Sequence, residues 1–400
     1  MLPIEQNRSL KPLTTFKIGG AAREFAEIVD PADVPAAFDY AEERGLATLV
    51  LGGGSNMLVS DRGFDGLVIH VSNRGIAPSP LTPLPTTWGE GYKNSNSPRP
   101  TQWGEGPGVR GIRIASGEMW DDVVKFAVEH ELWGIENLSR IPGRTGAVAV
   151  QNVGAYGQEI KDVLVNVEVF DRKTNSFQTL TNEECEFTYR KSIFNTREKN
   201  RYVILSTTLQ LSTVPKRNLS YPDVKKWFEG NPEPSLEEIR AAIKAIRDRK
   251  FPFPAESIEG NAGSFFKNSL LTIEQFENVK RQFERNLPER LDRLLRYAPS
   301  TLYPLPSTLK IPSAFVLEAC GLKGFRRGNV QLNPTQPVVV LNVTGNATAD
   351  EVLTLVREVR TTVQEKTGLH LYTEPELIGF TADELRGYGF NREEIRRYTA

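Results

Sequence analysis

The chain has 400 residues, of which 39% are hydrophobic and 25% are charged, with a formal net charge of -1 at pH 7. This length predicts two or three domains with separate cores, and the near-neutral charge argues against nucleic acid as a partner. No apolar run reaches the length of a membrane span, and the first residues lack the basic and apolar regions of a signal peptide. We therefore expect a cytoplasmic protein.

The opening of the chain predicts a β-α-β arrangement: a strand over 26–29, a helix over 34–44 and strands over 48–51 and 67–70. The second strand runs directly into Gly52, Gly53, Gly54, Ser55 and Asn56. Consecutive glycines without a following helix do not match a Rossmann fingerprint. Their exposed backbone N–H groups would suit a diphosphate, and a tight strand-to-loop turn is the alternative.

Residues 76–109 are rich in Pro, Gly, Ser, Thr and Asn and contain Trp-Gly-Glu-Gly twice, at 88–91 and 103–106. Such a composition buries little apolar surface. It predicts a mobile insertion.

A strand over 111–115 and a helix over 119–130 follow the insertion. The stretch 141–157 is apolar and punctuated by glycines, and we interpret it as a second small-residue loop. A flat ring could lie against its backbone, with Gln151 and Asn152 offering hydrogen bonds to ring heteroatoms. A closely packed strand and loop is the alternative.

Antiparallel strands are predicted over 163–170, 177–180 and 202–211, and a basic amphipathic helix over 236–249. The helix leads into Phe251-Pro252-Phe253-Pro254, which we interpret as a domain boundary. A helix over 314–319, a strand over 338–342 and a helix over 349–366 follow, and 389–400 is a charged tail without a clear role. The overall pattern is α+β.

Neither the histidines nor the cysteines show the spacing of a metal site, so no metal is expected. Cys185 and Cys320 are far apart and are expected to be buried free thiols. Carboxylates, a hydroxyl and arginine remain as candidates for chemistry.

Two short segments offer charged groups beside apolar ones. Arg190 lies between aromatic residues in 187–194 and could make a bidentate contact with a carboxylate, although an arginine extending from a strand is common. Glu376 follows a proline at the start of an apolar strand, where a solvated strand-end glutamate is the ordinary interpretation.

The segment 260–268, Gly-Asn-Ala-Gly-Ser-Phe-Phe-Lys-Asn, is the most informative in the chain. The hydroxyl of Ser264 lies between a glycine-containing bend and the rings of Phe265 and Phe266. If the rings exclude water, this hydroxyl could donate a proton in a dry site. A buried turn that leads into a core strand is the alternative.

As a set, these motifs resemble those of the UDP-N-acetylenolpyruvoylglucosamine reductases, also called UDP-N-acetylmuramate dehydrogenases. The matching segments cover nearly the whole chain outside the insertion and the tail: 14–20 (TTFKIGG), 51–56 (LGGGSN), 141–143 (IPG), 151–157 (QNVGAYG), 189–194 (YRKSIF), 260–268 (GNAGSFFKN) and 374–376 (EPE).

The resemblance implies an FAD-binding fold of the vanillyl-alcohol-oxidase (PCMH-like) type with two α+β subdomains, followed by a C-terminal α+β substrate-binding domain. The expected divisions are 1–72 for the first subdomain, 73–250 for the second and 251–372 for the substrate domain. The segment 373–400 could return to the first subdomain.

The resemblance also implies an activity. NADPH would reduce a non-covalent FAD, and the FAD would reduce the enolpyruvyl ether of UDP-N-acetylglucosamine enolpyruvate to give UDP-N-acetylmuramate for peptidoglycan. Apart from NADPH and this sugar nucleotide no partner is implied: we expect a monomer that binds neither nucleic acid nor membrane.

Site residues carry over by motif. Arg190 and Glu376 match the residues that hold and polarise the substrate carboxylate, with Glu376 protonated or hydrogen-bonded there, and Ser264 matches the proton donor to the α-carbon. The expected FAD contacts are Gly52, Gly53, Gly54, Ser55, Asn56, Gln151, Asn152, Gly154, Ala155, Tyr156 and Gly157. The expected substrate contacts are Tyr189, Tyr221 (of the family type with a tyrosine loop), Lys250, Asn268 and Gln336.

The chain departs from the family pattern near Gln336, where the usual Gly-Ala-Ala-Val-His stretch reads Gly-Asn-Val-Gln-Leu, at 328–332. Two alternative functions remain. A sugar or alcohol oxidase on the same fold would lack such a serine and often tethers its flavin through His or Cys. A catalytically silent sugar-nucleotide-binding protein would not need Ser264, Arg190 and Glu376 together.

Overall fold

A computed structural model describes residues 2–79, 104–106, 108–250, 253–298 and 308–399 of the chain. Their contacts divide the chain into two compact units. The first unit comprises Met1–Arg8, Ala22–Gly53 and Asp65–Asp248, and the second comprises Ser9–Ala21, Gly54–Phe64 and Arg249–Ala400. Each unit therefore contains segments that are distant in sequence.

The strands of the described residues are, in chain order, β1 Glu5–Ser9, β2 Ala21–Ile28, β3 Ala47–Leu51, β4 Met57–Val59, β5 Phe64–Val71, β6 Ile76–Pro78, β7 Gly104–Gly106, β8 Val109–Ala115, β9 Gly154–Ala155, β10 Gln158–Glu159, β11 Leu164–Asp171, β12 Ser176–Thr181, β13 Tyr202–Ser212, β14 Gly260–Ser264, β15 Ser269–Leu271, β16 Leu309–Ile311, β17 Arg326–Arg327, β18 Val330–Leu332, β19 Val339–Asn342 and β20 Glu376–Ile378. The α-helices are α1 Val34–Glu43, α2 Trp120–Glu129, α3 Thr145–Val150, α4 Pro222–Trp227, α5 Leu236–Asp248, α6 Ile273–Asn286, α7 Leu291–Leu295, α8 Ser313–Ala319, α9 Ala349–Thr367, α10 Ala382–Gly387 and α11 Arg392–Thr399.

The first sheet of the first unit has the strand order β1-β2-β5-β3, with β3 parallel to β5. Helix α1 buries Val34, Ala37 and Ala41 in the core that covers this sheet. The predicted β-α-β opening is confirmed, and the parallel pairing places the end of β3 at Leu51 opposite His70. The glycine run therefore begins at the carboxyl end of a parallel strand.

The second sheet of this unit is antiparallel, with the order β12-β11-β13-β8-β6, and β7 also pairs with β8. The predicted strands over 163–170, 177–180 and 202–211 are confirmed as β11, β12 and β13. Helix α2 buries its apolar side in the core of the same unit, and the indole Nε1 of Trp120 donates to the carbonyl of Leu138 (3.0 Å).

The ends of the predicted insertion belong to this sheet. Strand β6 pairs Pro78 with Ile112, and β7 pairs Gly104 with the adjacent Gly111, so both lie along one edge of β8. The expectation that all of 76–109 is a mobile insertion is wrong at its two ends, because backbone pairing fixes them. Residues 80–103 and 107, which include the first Trp-Gly-Glu-Gly copy, lie outside the described residues.

The second unit contains an antiparallel sheet with the order β14-β19-β18-β17. The long helix α9 buries a stripe that includes Val352, Val356, Val359 and Val363, as its apolar spacing predicts. Helix α6 adds Phe276, Val279 and Phe283 to the same core. Short strands β20 and β4 pair in parallel, with Glu376 opposite Met57.

Both cysteines are buried free thiols, as predicted. Burial is also the main reason that the pKa of Cys185 is raised to about 12 and that of Cys320 to about 11. Among the described residues, no helix is both long and apolar enough to cross a membrane. The same part of the chain contains no group of three or more His, Cys, Asp or Glu side chains arranged to hold a metal ion.

Candidate functional site

The glycine run 52–56 is shaped by close backbone approaches. A Cβ atom added at Gly53 would lie 2.7 Å from the Cα of Gly143 and 2.8 Å from the backbone N of Arg144, both in the first unit. In the second unit, Gly54 has φ of +55°, and an added Cβ would lie 2.2 Å from the carbonyl oxygen of Leu13. These two positions require glycine for steric reasons.

Gly52 differs from its neighbours. The nearest atom to a Cβ added there is the Cβ of Ala147, at 3.9 Å, which is an ordinary van der Waals contact. None of the described residues therefore excludes a methyl group from Gly52. A glycine at an open position is useful where a ligand approaches the backbone closely.

His70 lies beside this run at the parallel strand pair, with its side chain 6% exposed. Burial, and secondly the positive charge of Arg144, lower the pKa of His70 to about 4. The ring is thus neutral near pH 7. The sequence placed His70 at the end of the predicted strand 67–70, and its pairing with Leu51, the last residue before three glycines, is visible only in the structure.

The stretch 141–157 contains helix α3 and is not a loop throughout, which corrects the expectation. Its remaining turns hold two non-glycine residues in the left-handed region, Asn152 with φ of 44° and Tyr156 with φ of 47°. Such conformations are uncommon outside glycine and cluster at functional sites. The two residues lie on either side of Gly154–Ala155.

The side chain of Asn152 is used inside the protein. Its amide nitrogen donates to Glu159 Oε2 (2.9 Å) and to the carbonyl of Thr188 (3.0 Å), and its oxygen accepts from the backbone N of Lys161 (3.2 Å). The residue is only 1% exposed. The expectation that this amide bonds to ring heteroatoms is therefore corrected: the side chain joins the 151–157 segment to the turn that precedes Arg190.

Arg190 lies in that turn and not on a strand. It has φ of 58°, its guanidinium lies 5.8 Å from the ring centroid of the exposed Tyr189, and its carbonyl accepts from Asn195 Nδ2 (3.1 Å). Ser192 fixes the next residues through its hydroxyl, which donates to the carbonyl of Val150 (2.6 Å). Arg190 and the 151–157 segment are consequently brought together within the first unit.

Tyr221 joins the same group of residues. Its ring meets Tyr156 edge-on with centroids 5.1 Å apart, and 41% of the residue is exposed. The buried Asn137 donates to the carbonyls of Tyr156 (2.9 Å) and Asn218 (2.8 Å), which aligns the two segments. A cavity of about 670 Å³ lies beside Tyr221; Lys225 and Lys226 are among its lining residues.

In the second unit, the Ser264 segment forms strand β14. Gly260 must be glycine, since an added Cβ would lie 2.2 Å from the carbonyl oxygen of Phe16. The pairing with β19 is irregular between Asn261 and Ser264, and Gly263 there has φ of +73°. A bulge of this kind re-aims the next side chain.

Ser264 itself is exposed, whereas Phe265 and Phe266 are 0% and 1% exposed in the core of the second unit. The dry environment expected around the hydroxyl is therefore not provided by these rings, which pack inward. A bound ligand would have to exclude the water.

Backbone hydrogen bonds hold the segment that carries Glu376 beside the Ser264 segment. The N–H of Glu374 donates to the carbonyl of Phe265 (2.9 Å), and the N–H of Glu376 donates to the carbonyl of Asn56 (2.9 Å). Glu376 is the first residue of β20, as predicted, and its Oε1 accepts from Arg397 Nη2 (2.7 Å). The second unit thus gathers Ser264, Asn56 and Glu376.

The other expected substrate residues of this unit lie outside its helices and strands. The carbonyl of Lys250 accepts from Asn333 Nδ2 (2.9 Å), and Asn333 Oδ1 accepts from the N–H of Gln336 (2.9 Å), so Lys250 and Gln336 share one loop cluster. Asn268 Oδ1 accepts from the N–H of Ser313 (3.1 Å) at the start of α8. That bond orients the Asn268 amide.

Sequence reasoning missed Arg397. It lies in the tail to which no role was given, and the tail forms helix α11, with acidic residues in its first turn and basic residues in its last. That charge distribution is typical of a helix and was a signal in the sequence. Its contact with Glu376 carried no sequence signal.

Comparisons with known proteins agree on one family. Residues 254–378 match the model of the UDP-N-acetylenolpyruvoylglucosamine reductase C-terminal domain, and residues 109–179 match an FAD binding domain. A protein of Flavobacterium johnsoniae named UDP-N-acetylenolpyruvoylglucosamine reductase is 34% identical to this chain, and the alignment covers 94% of this chain and 100% of that protein. A protein of the same name from Pseudomonas aeruginosa is also 34% identical, and the alignment covers 94% of this chain and 99% of that protein.

A solved structure shares the fold. The crystal structure of UDP-N-acetylenolpyruvylglucosamine reductase from Thermus caldophilus matches with a TM-score of 0.59 at 21% identity, covering 94% of this chain and 99% of that one. Together with the FAD-binding match, it confirms the predicted fold class, an α+β FAD-binding fold with a C-terminal α+β domain.

Proposed function

Because this chain belongs to the UDP-N-acetylenolpyruvoylglucosamine reductase family, we propose specific roles for its residues in that reaction. The chain is an FAD-dependent reductase that uses NADPH to convert UDP-N-acetylglucosamine enolpyruvate to UDP-N-acetylmuramate in peptidoglycan precursor synthesis. The observation that carries this conclusion is the 34% identity over 94% of the chain and the full length of the relative.

Two features of the first unit fit a dinucleotide. The open side of Gly52 leaves backbone accessible, and the buried hydroxyl oxygen of Ser116 has no hydrogen-bond partner among the described residues. Bound FAD would supply the hydride-transfer chemistry between NADPH and the terminal carbon of the enolpyruvyl group. We assign its binding to the backbone of 52–56 and of 151–157, with Asn152 shaping the second segment and not contacting the ring through its amide. We also propose that the FAD is held non-covalently.

Arg190 would bind the substrate carboxylate. A guanidinium makes two parallel hydrogen bonds to a carboxylate, and the left-handed turn supports this role by holding Arg190 in one place. Tyr189 and Tyr221, both substantially exposed, would contact the sugar nucleotide. The two lysines beside Tyr221 add positive charge where a diphosphate could lie.

In the second unit, Ser264 would donate a proton to the α-carbon as the hydride arrives at the neighbouring carbon. Its exposure supports this role because the hydroxyl is accessible to a ligand. Glu376 would face the substrate carboxylate, and Lys250, Asn268 and Gln336 would contact the rest of the substrate. The backbone bond from Glu374 to Phe265 supports a shared site for Ser264 and Glu376.

We propose a cytoplasmic monomer that acts without nucleic acid or membrane. The net charge of -1 supports the part of this proposal that concerns nucleic acid. We also propose that the chain divides into two FAD-binding subdomains, 1–72 and 73–250, and a substrate-binding domain, 251–372. The segment 373–400 would join the first subdomain. The break between Asp248 and Arg249 supports the boundary near 250.

The test separates the two halves of the reaction. Purified protein with bound FAD is mixed with NADPH under anaerobic conditions, and loss of flavin absorbance is timed; the enolpyruvyl sugar nucleotide is then added and the return of absorbance is timed. Ser264→Ala should slow the second step by about 10²- to 10⁴-fold, the usual contribution of a general acid, and leave the first unchanged.

Ser264→Cys is the matched variant, because a thiol retains a proton at the same position. It should recover part of the lost rate. Equal slowing of both steps by Ser264→Ala would remove Ser264 from the role of proton donor. Oxidation of a free sugar by oxygen, without use of NADPH, would favour an oxidase instead.

A further inference from the structure

The C-terminal helix α11 brings one guanidinium onto the segment that carries Glu376. Arg397 Nη1 donates to the carbonyl of Thr373 (3.1 Å), and Nη2 donates to the carbonyl of Glu374 (3.0 Å) and to Glu376 Oε1 (2.7 Å). A guanidinium presents its N–H groups in a fixed planar fork. Three acceptors of one four-residue stretch are therefore held by a single rigid group.

Helix α11 is itself fixed to the core of the second unit. The carboxylate of Glu394, 4% exposed, pairs with Arg360 of α9 and lies 3.1 Å from Nε2 of His370. The hydroxyls of Tyr398 and Thr373 are 2.6 Å apart. A buried ion pair has a strict geometry, because either charge left alone would be costly. The packing of α11 in the second unit therefore fixes the position of Arg397.

Arg397 also supplies the charge that Glu376 needs. Burial opposes the charged form of Arg397, but the nearby Tyr398 and Glu376 favour it, and the pKa of Arg397 is raised overall. The guanidinium therefore stays positive. Glu376 is about one-third exposed, so a ligand can reach it while Arg397 holds it.

We propose that Arg397 is a positioning residue of the reductase: it fixes the orientation of the Glu376 carboxylate and balances its negative charge, so that an anionic substrate can approach. This inference rests on the proposed function, in which Glu376 faces the substrate carboxylate. Without Arg397, the Glu376 carboxylate would lose its ion-pair partner, and its repulsion of the substrate carboxylate would weaken binding.

The proposed role places a residue of the active site outside the stretch that matches the family C-terminal domain. The match to the family C-terminal domain ends at residue 378, whereas α11 spans Arg392–Thr399. Arg397 therefore lies outside the residues matched by the domain model, on a helix that contacts Glu376 within them.

The experiment compares Arg397→Met and Arg397→Lys with Arg396→Met. Arg396 is exposed on the same helix, so its replacement removes the same charge without touching Glu376. Arg397→Met should raise the KM for the enolpyruvyl sugar nucleotide by about 10- to 150-fold, the range for a lost hydrogen bond between charged groups, with a smaller change in kcat. Arg397→Lys should recover part of this, since it restores the charge without the fork.

Two further measurements separate positioning from structure. The dissociation constant of the sugar nucleotide for the oxidised, FAD-loaded protein, measured by calorimetry without NADPH, should rise in parallel with the KM. Flavin reduction by NADPH alone should match the parent in every variant, and so should the melting temperature of Arg397→Lys.

Either of two results would overturn the inference alone. In the first, the parent is active, and Arg397→Met has the same KM and the same dissociation constant for the sugar nucleotide as Arg396→Met. In the second, Arg397→Met and Arg397→Lys slow both half-reactions equally and lower the melting temperature together, which would indicate a structural role. A parent protein that does not reduce the sugar nucleotide would overturn the proposed function, and with it this inference.

Discussion

Two neighbouring glycines allow the proposed FAD loop to be tested by paired substitutions. A methyl group added at Gly53 would lie 2.7 Å from the Cα of Gly143, which is closer than real Cβ atoms come to backbone. Within the part of the chain that the structure describes, the nearest atom to a methyl group added at Gly52 is the Cβ of Ala147, at 3.9 Å. Gly53→Ala should therefore disturb the protein, and Gly52→Ala should disturb only a ligand that lies against the backbone.

The magnitudes follow from these distances. Overpacking against rigid atoms costs about 1–3 kcal/mol, so Gly53→Ala should lower the free energy of unfolding by that amount. If the displacement is borne by the binding loop, the FAD dissociation constant rises by about 5- to 150-fold. Gly52→Ala should keep the parent's stability or gain about 0.4–1 kcal/mol, because alanine restricts the unfolded chain, while FAD binding weakens about tenfold or more.

Denaturant unfolding of the FAD-free protein gives the stabilities, and titration with FAD, followed by flavin fluorescence, gives the affinities. Gly387→Ala is a control for the substitution itself, since no atom of the described residues lies within 4 Å of an added Cβ at this position of the second unit. It should not change FAD affinity. Parent-like FAD affinity in Gly52→Ala would refute the assignment of the cofactor to this run, and parent-like stability in Gly53→Ala would refute the close approach.

Two further predictions concern His70 and the insertion. The pKa of His70 is about 4 in the folded protein and 6.5 as a free side chain, so the unfolded chain binds a proton first as pH falls. The free energy of unfolding should therefore fall by up to ~3 kcal/mol between about pH 6.5 and pH 4. His70→Gln should flatten this pH dependence in unfolding curves measured across that range. An unchanged slope of unfolding free energy against pH in the variant would contradict the prediction. Replacing residues 81–102 with two glycines should leave reductase activity and FAD content near the parent values, because Pro78 and Gly104 pair with adjacent residues of β8. Loss of FAD from the purified variant would show that the insertion contributes to the site.

Helices and strands could be predicted from the sequence where apolar residues recur with a clear period and residues typical of helix or strand ends flank them. Helices α1 and α5 and strands β11 and β13 follow this rule. Helix α6 was missed although Thr272 and Gln275 form a capping box at its start. That signal is local and was readable. Helix α3 was missed for a different reason, because Gly146 and the small residues after it resemble a loop in composition.

The sequence by itself determined the family, the cofactor and the identity of the candidate residues, because chemistry at a site constrains residue type and short-range spacing. Only the tertiary structure decided that the Asn152 amide is consumed inside the protein and that Phe265 and Phe266 turn away from Ser264. The same holds for Arg397, which is 21 residues from Glu376 in sequence and 2.7 Å from it in space. Hydrogen bonds and burial of this kind depend on how distant segments pack, and no local pattern of residues records them.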